Sequence, residues 1–223
     1  MLTKTINKKF TAVFALILIL ELMATNTNSF SVMHYITKPA IVISLIIFFM
    51  SEGKHLDAYT KRFTILALAF SVIGDILLMF VEKSPHFFTF GLAAFLLAHI
   101  MYVLVFLKKR NKAIKPIGII ILLLVYGGIL FYTINSNLAE MLIPVFVYML
   151  IILTMATTAY WRKGEVNLSS FNWVFFGAIF FMLSDSLLAV NKFHTPLAYS
   201  EISIILTYAI AQYFIVLGLL KQQ

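Results

Sequence analysis

The chain has 223 residues, of which 62% are apolar and 12% charged, with a mean hydropathy of +0.99. That is far more apolar surface than a soluble domain of this length can bury, so the composition reads as an all-α polytopic membrane protein. With no cysteine, disulfide frameworks and thiolate metal sites are excluded, and the redox compartment stays open.

Roughly 20 consecutive apolar residues suit a spanning helix, whereas a membrane strand would alternate over about 10. Eight such stretches follow in chain order: Phe10–Thr25, Tyr35–Met50, Arg62–Val81, Phe87–Leu107, Pro116–Ile134, Leu138–Trp161, Ser170–Val190 and Tyr199–Leu220. The first begins after Lys4, Lys8 and Lys9. Its basic start and apolar run also resemble a signal peptide, but Glu21 inside the run argues against cleavage. Helix two carries Lys38 near its start, with His34 one turn away on the same face.

Connections between the helices set orientation, because Lys and Arg are retained on the cytoplasmic side of short loops. Lys54, Lys61 and Arg62 fall between helices two and three, and Lys108, Lys109, Arg110, Lys112 and Lys115 between four and five. Arg162 and Lys163 lie between six and seven, and Lys221 in the tail. Together with the first three lysines these make fourteen of the seventeen basic residues. Lys83 and Lys192 lie in the opposite loops, and Lys38 is within a helix. Both termini are therefore predicted cytoplasmic. The net charge of +8 is this topological bias rather than a nucleic-acid footprint.

Helix three contains Phe70 to Phe80, FSVIGDILLMF, with Asp75 as its one charge. Gly74-Asp75-Ile76-Leu77-Leu78 is echoed 110 residues later by Ser184-Asp185-Ser186-Leu187-Leu188 in helix seven, in a single domain spanning residues 1–223. The spacing suggests two parallel four-helix repeats, residues 1–110 and 111–223, related by an axis along the membrane normal. Pro39 in helix two and Pro144 in helix six are a weaker echo. Parallel helices bring both aspartates to one depth, roughly 20 Å from the cytoplasmic ends of a core roughly 30 Å thick, with Glu21 and Lys38 at a comparable level.

Other polar residues fall at helical spacing. His99 and Tyr102 share a face with Gly91 and Phe95 in helix four, and Glu201, Tyr208 and Gln212 form a stripe along helix eight. Ser71 and Gly74 are small neighbours of Asp75 that let another helix approach. The pattern predicts a polar pocket open toward the outer side. Structural readings compete for each member. Asp75 could clamp a neighbouring helix or pair with Lys38, and His99 and Gln212 could bridge helices. Lys38 could snorkel to the interface and Glu201 could lie at the water boundary. His55, His86 and His194 are predicted in loops.

No G-x-S-x-G elbow, H-E-x-x-H helix or G-x-x-x-x-G-K-[ST] loop occurs, so serine hydrolase, zincin and nucleotide-driven pump lack their parts. Two carboxyls in a low-dielectric pocket cannot both ionise cheaply, so one should hold a proton while the other is anionic, an acid and a base at one site. Such a pair suits bonds whose cleavage starts with protonation and passes through an oxocarbenium-like cation: acetals, enol ethers or epoxides.

Thr37-Lys38-Pro39, the run GDILLM from Gly74, AHIMY from Ala98, SDSLLAVNKF from Ser184 and TYAIAQ from Thr207 resemble the YhhN-like lysoplasmalogenase family across nearly the whole chain. The resemblance implies hydrolysis of the sn-1 vinyl ether of a lysoplasmalogen to a fatty aldehyde and a glycerophospho-choline or -ethanolamine, with Asp75 and Asp185 catalytic. Lys38, His34, His99, Tyr208, Gln212, Glu21 and Asn191 would bind substrate or support the pair. A two-carboxylate mechanism requires no metal or organic cofactor, the expected partners are a lyso-ether phospholipid and membrane lipid with no obligatory protein partner, and the expected location is multi-pass in a bacterial plasma membrane. A proton-coupled transporter is the rival reading, opposed by the almost wholly apolar inward halves of helices three and seven. A lipid-binding protein without catalysis is another.

Overall fold

The computed structural model describes residues 2–26 and 31–222, and among these every regular element is helical. The helices are α1 (Leu2–Asn26), α2 (Ser31–Glu52), α3 (Ala58–Leu78), α4 (Pro85–Lys108), α5 (Ile117–Ile134), α6 (Leu142–Tyr160), α7 (Leu168–Phe193) and α8 (Ser200–Leu220). Six of them, α2 and α4 to α8, are long and apolar enough to cross a membrane. Among the described residues, the apolar runs of α1 and α3 are broken by Lys8, Lys9 and Glu21 and by Lys61, Arg62 and Asp75, and neither run meets that standard.

The element boundaries depart from the sequence expectation where capping or sterics intervene. α1 begins at Leu2 and takes in Lys4, Lys8 and Lys9. α3 starts four residues early, at Ala58, because the Asp57 side chain caps it by accepting from the Thr60 N–H at 3.1 Å. His86, expected in a loop, sits in the first turn of α4 behind Pro85, whose missing N–H costs nothing there. Leu138, expected in helix six, lies outside it and Ala139–Met141 forms a separate short 3-10 helix, so α6 begins at Leu142. Pro144 is therefore in the first turn of α6 while Pro39 lies well inside α2, and the two prolines occupy different places in their helices.

The helices pack in pairs, most extensively α3 on α4 and α7 on α8, with α6 against α4 and α7. Glycines permit close approach within both of these pairs. A Cβ on Gly74 would lie 2.6 Å from the Phe95 ring of α4, and one on Gly177 would lie 2.9 Å from the Ala211 carbonyl of α8. The main core runs through Ile41, Leu45, Leu68, Phe106, Val174, Phe181 and Ile215. α5 touches mainly α6 and α7 and turns Ile121, Leu122, Leu124, Val125 and Ile129 outward, as a lipid-facing helix requires.

At the end of the bundle remote from the aspartates, Arg162 is fully buried. Its Nη2 donates to Ser170 Oγ at 3.0 Å and Gln222 Oε1 at 2.8 Å, and its guanidinium lies over Phe106, joining the start of α7 to the end of α8. Burial pushes its pKa down to about 9, still above neutrality, so the charge is kept. Sequence reasoning counted Arg162 only among the loop charges.

Candidate active site

Asp75 lies in the last turn of α3, 2% exposed, and its Oδ2 accepts from the Tyr208 hydroxyl of α8 at 2.8 Å. Tyr208 is held by edge-to-face contacts with Phe95 and Phe181, at 5.7 and 5.4 Å between ring centroids. Behind it, the Tyr102 hydroxyl donates to Gln212 Oε1 at 2.6 Å and Gln212 Nε2 donates to Ser71 Oγ at 2.9 Å. This buried chain fixes α4 and α8 against α3 just beneath the carboxyl.

Asp185, in the second half of α7, is 15% exposed at its side chain and accepts from the Tyr148 hydroxyl of α6 at 2.5 Å. His99 is fully buried, and its Nε2 is 3.8 Å from the same carboxylate oxygen, outside hydrogen-bond reach. Its ring packs edgewise on Phe181 and Tyr148, at 4.5 and 5.2 Å. Ser184 Oγ donates to the Ile204 carbonyl at 2.9 Å, which ties the Asp185 turn to α8.

Both aspartates line one cavity of about 500 Å³, built from the end of α1, the start of α2, the ends of α3 and α7 and the starts of α4 and α8. His34, Lys38, Tyr208 and Asn191 line it too, so six of the nine residues singled out from sequence meet in one space. The other three, Glu21, His99 and Gln212, form a layer behind the wall. Glu21 is fully buried, accepts from Thr37 Oγ1 at 2.6 Å, and lies 2.8 Å from His34 Nδ1. His34 is thus turned to Glu21, while Lys38 shares the cavity wall with Asp75. Asn191 Oδ1 accepts from the Leu197 N–H at 2.8 Å and bends the chain after α7.

Two lining features escaped the sequence reading. Lys192, counted only as an outer-loop charge, sits in the last turn of α7 over the Phe88 ring and faces the cavity with Glu82 and Glu201. Tyr148, partner of Asp185, was one tyrosine in an apolar run; a hydroxyl that must be satisfied inside lipid was the available signal. Asp185, Leu78, Phe88, Phe95 and Leu188 also line a second, nearly apolar space of about 40 Å³ reaching toward Val145, Tyr148 and Phe193.

A wider groove of about 820 Å³, at the opposite end near Lys108, Arg110 and Lys112, is an open surface depression and contains no aspartate. In the 500 Å³ cavity, the arrangement offers two carboxyls on separate helices, each oriented by a tyrosine hydroxyl, with two ammonium groups on the wall. It can deliver and remove a proton within one enclosed space and bind an anion beside it.

Residues 33–219 match the YhhN family. The chain is 34% identical over 155 residues to the human lysoplasmalogenase TMEM86B, an alignment covering 70% of this chain and 62% of that protein. It is 32% identical over 177 residues to the pig protein of that name, covering 79% and 71%, and 27% identical over 191 residues to a lysoplasmalogenase of Mycobacterium tuberculosis, covering 83% and 71%. This chain therefore spans a little under two thirds of the human relative's length. No solved structure matches it. With a family match over most of its length, taking in nearly all of α2 to α8, the chain belongs to the YhhN family.

Proposed function

We propose that this protein is a membrane hydrolase that cleaves the sn-1 vinyl ether of a lysoplasmalogen, releasing a fatty aldehyde and a glycerophospho-choline or -ethanolamine. The observation that carries the reading is the convergence of Asp75 and Asp185 on one cavity with Lys38 and Lys192 on its wall. Relatives named lysoplasmalogenase support it. One aspartic acid protonates the β-carbon of the vinyl ether, and the second carboxylate stabilises the oxocarbenium ion and orients water. The hemiacetal then collapses to aldehyde and alcohol. Lys38 binds the substrate phosphate, Tyr208 and Tyr148 hold the catalytic pair with Gln212 and His99 packed behind them, Glu21 and His34 set the field around Lys38, and Asn191 shapes the rim.

In this reading all eight helices span the bilayer, with both termini cytoplasmic, and the cavity opens to the outer side of a bacterial plasma membrane. The paired packing of α3 with α4 and α7 with α8 suits two parallel four-helix repeats over residues 1–110 and 111–223. The enzyme works without a metal, an organic cofactor or an obligatory protein partner. All the cavity's lining residues come from one end of the bundle, which favours hydrolysis over proton-coupled transport. Purified protein incubated with lysoplasmalogen should release free aldehyde. Binding without aldehyde would leave a lipid-binding protein, and substrate uptake into liposomes would favour a transporter.

A further inference from the structure

The two aspartates differ in what surrounds them. Asp185 stands at the junction of the polar cavity and the apolar side space, and lines both. Asp75 lines the polar cavity only, together with Lys38. A vinyl ether is also asymmetric. Its β-carbon, which receives the proton, bears the hydrocarbon chain; its α-carbon, which receives water, bears the glycerol oxygen.

Resting on the hydrolase reading above, we infer that Asp185 is the acid and Asp75 the base, and that the side space between α4, α6 and α7 takes the first carbons of the alkenyl chain. With the chain entering between Val145, Leu92 and Ala189 and the phosphate held by Lys38, the β-carbon is presented to Asp185 and the α-carbon to Asp75. The Tyr148 hydroxyl occupies Asp185 Oδ2, which leaves Oδ1 to carry the proton that is transferred.

The steps balance. The double-bond electrons take the proton from Asp185, forming the β-carbon C–H bond and an oxocarbenium ion. Water then bonds to the α-carbon as Asp75 accepts its proton, giving a hemiacetal. In the collapse, the hemiacetal hydroxyl proton passes to Asp185, the bond from the α-carbon to the glycerol oxygen breaks, and the glycerol oxygen takes the proton held on Asp75. Both groups return to their starting states, with one water consumed.

The assignment predicts different fates for the two asparagine variants in deuterium oxide. In Asp75→Asn the oxocarbenium forms but is hydrated slowly, so it turns about its new C–C single bond before a proton is returned, and recovered substrate gains deuterium at the vinylic β-position, read by mass spectrometry. In Asp185→Asn no such exchange occurs. Exchange in Asp185→Asn, or its absence in Asp75→Asn, overturns the assignment. A second measurement tests the chain site. Ala189→Phe should raise the ratio of kcat/KM for a 1-O-ethenyl analogue to that for a long-chain lysoplasmalogen by about tenfold, and an unchanged ratio refutes the side space as the chain site. Wild-type protein that releases no aldehyde sinks the hydrolase reading itself, whereas wild-type turnover with the reversed exchange pattern sinks only the division of roles.

Discussion

The two ends of the bundle use charge in opposite ways. At one end, Asp75, Asp185, Lys38 and Lys192 face a common space of about 500 Å³, and each carboxyl is met by a single tyrosine hydroxyl. At the other, the fully buried Arg162 is engaged with Ser170 and Gln222, and Asp57 is engaged with Lys108 and Thr60. A buried charge is costly in either place. At the second end internal partners take up Asp57 and one nitrogen of Arg162, whose Nε and Nη1 meet no acceptor among the described residues, and the charges hold helix termini together. At the first, lone pairs are left free toward an opening, where a ligand can use them. Openness to a cavity, rather than burial or residue type, separates the groups that can do chemistry from those that hold the fold.

Five substitutions test this contrast, beginning with the largest effect. Asp75→Asn and Asp185→Asn should each lower kcat for aldehyde release by about 10²- to 10⁴-fold while the protein still inserts and purifies normally. Near-normal turnover in either variant would remove that residue from the chemistry. Arg162→Ala, at the opposite end, should lower unfolding stability by about 2–3 kcal/mol in detergent without changing KM. A selective loss of turnover at unchanged stability would mean that the two ends are not separate in role.

Lys38→Met should raise KM by about tenfold with little change in kcat, as expected when one charge-assisted contact to phosphate is lost. Collapsed expression with unchanged KM would instead make it a structural partner of Asp75. The smallest effect belongs to Asp57→Asn. Burial pushes the Asp57 carboxyl up, but hydrogen bonds from Lys108 and Thr60 outweigh it and hold the group well below the usual carboxylate range. Its folded-state pKa is depressed, so its stabilisation is present above the unfolded value of about 3.8 and is lost as pH falls below that. Because Asp57 and Lys108 are 41% and 36% exposed, the contribution should stay below about 1 kcal/mol. Thermal unfolding at neutral pH and near pH 3 checks both the size and the sign.

The sequence by itself determined the helical class, because long apolar runs leave the backbone no other way to satisfy its polar groups in lipid. It also singled out Asp75 and Asp185, since a lone carboxylate in FSVIGDILLMF or its echo has a cost that apolar neighbours cannot offset. Helical spacing likewise brought out His99 with Tyr102 and Tyr208 with Gln212, because an i, i+3 or i, i+4 relation survives any packing arrangement. Tertiary structure alone decided which of these face the cavity and which stand behind it. Glu21 and His34 turn to one another, Tyr148 arrives from α6 to meet Asp185, Lys192 leaves the loop inventory for the cavity wall, and Arg162 leaves it for the interior. The physical reason is that periodicity fixes a side chain's direction around its own helix axis, whereas its neighbours across the bundle depend on how closely the helices approach, as at Gly74 and Gly177.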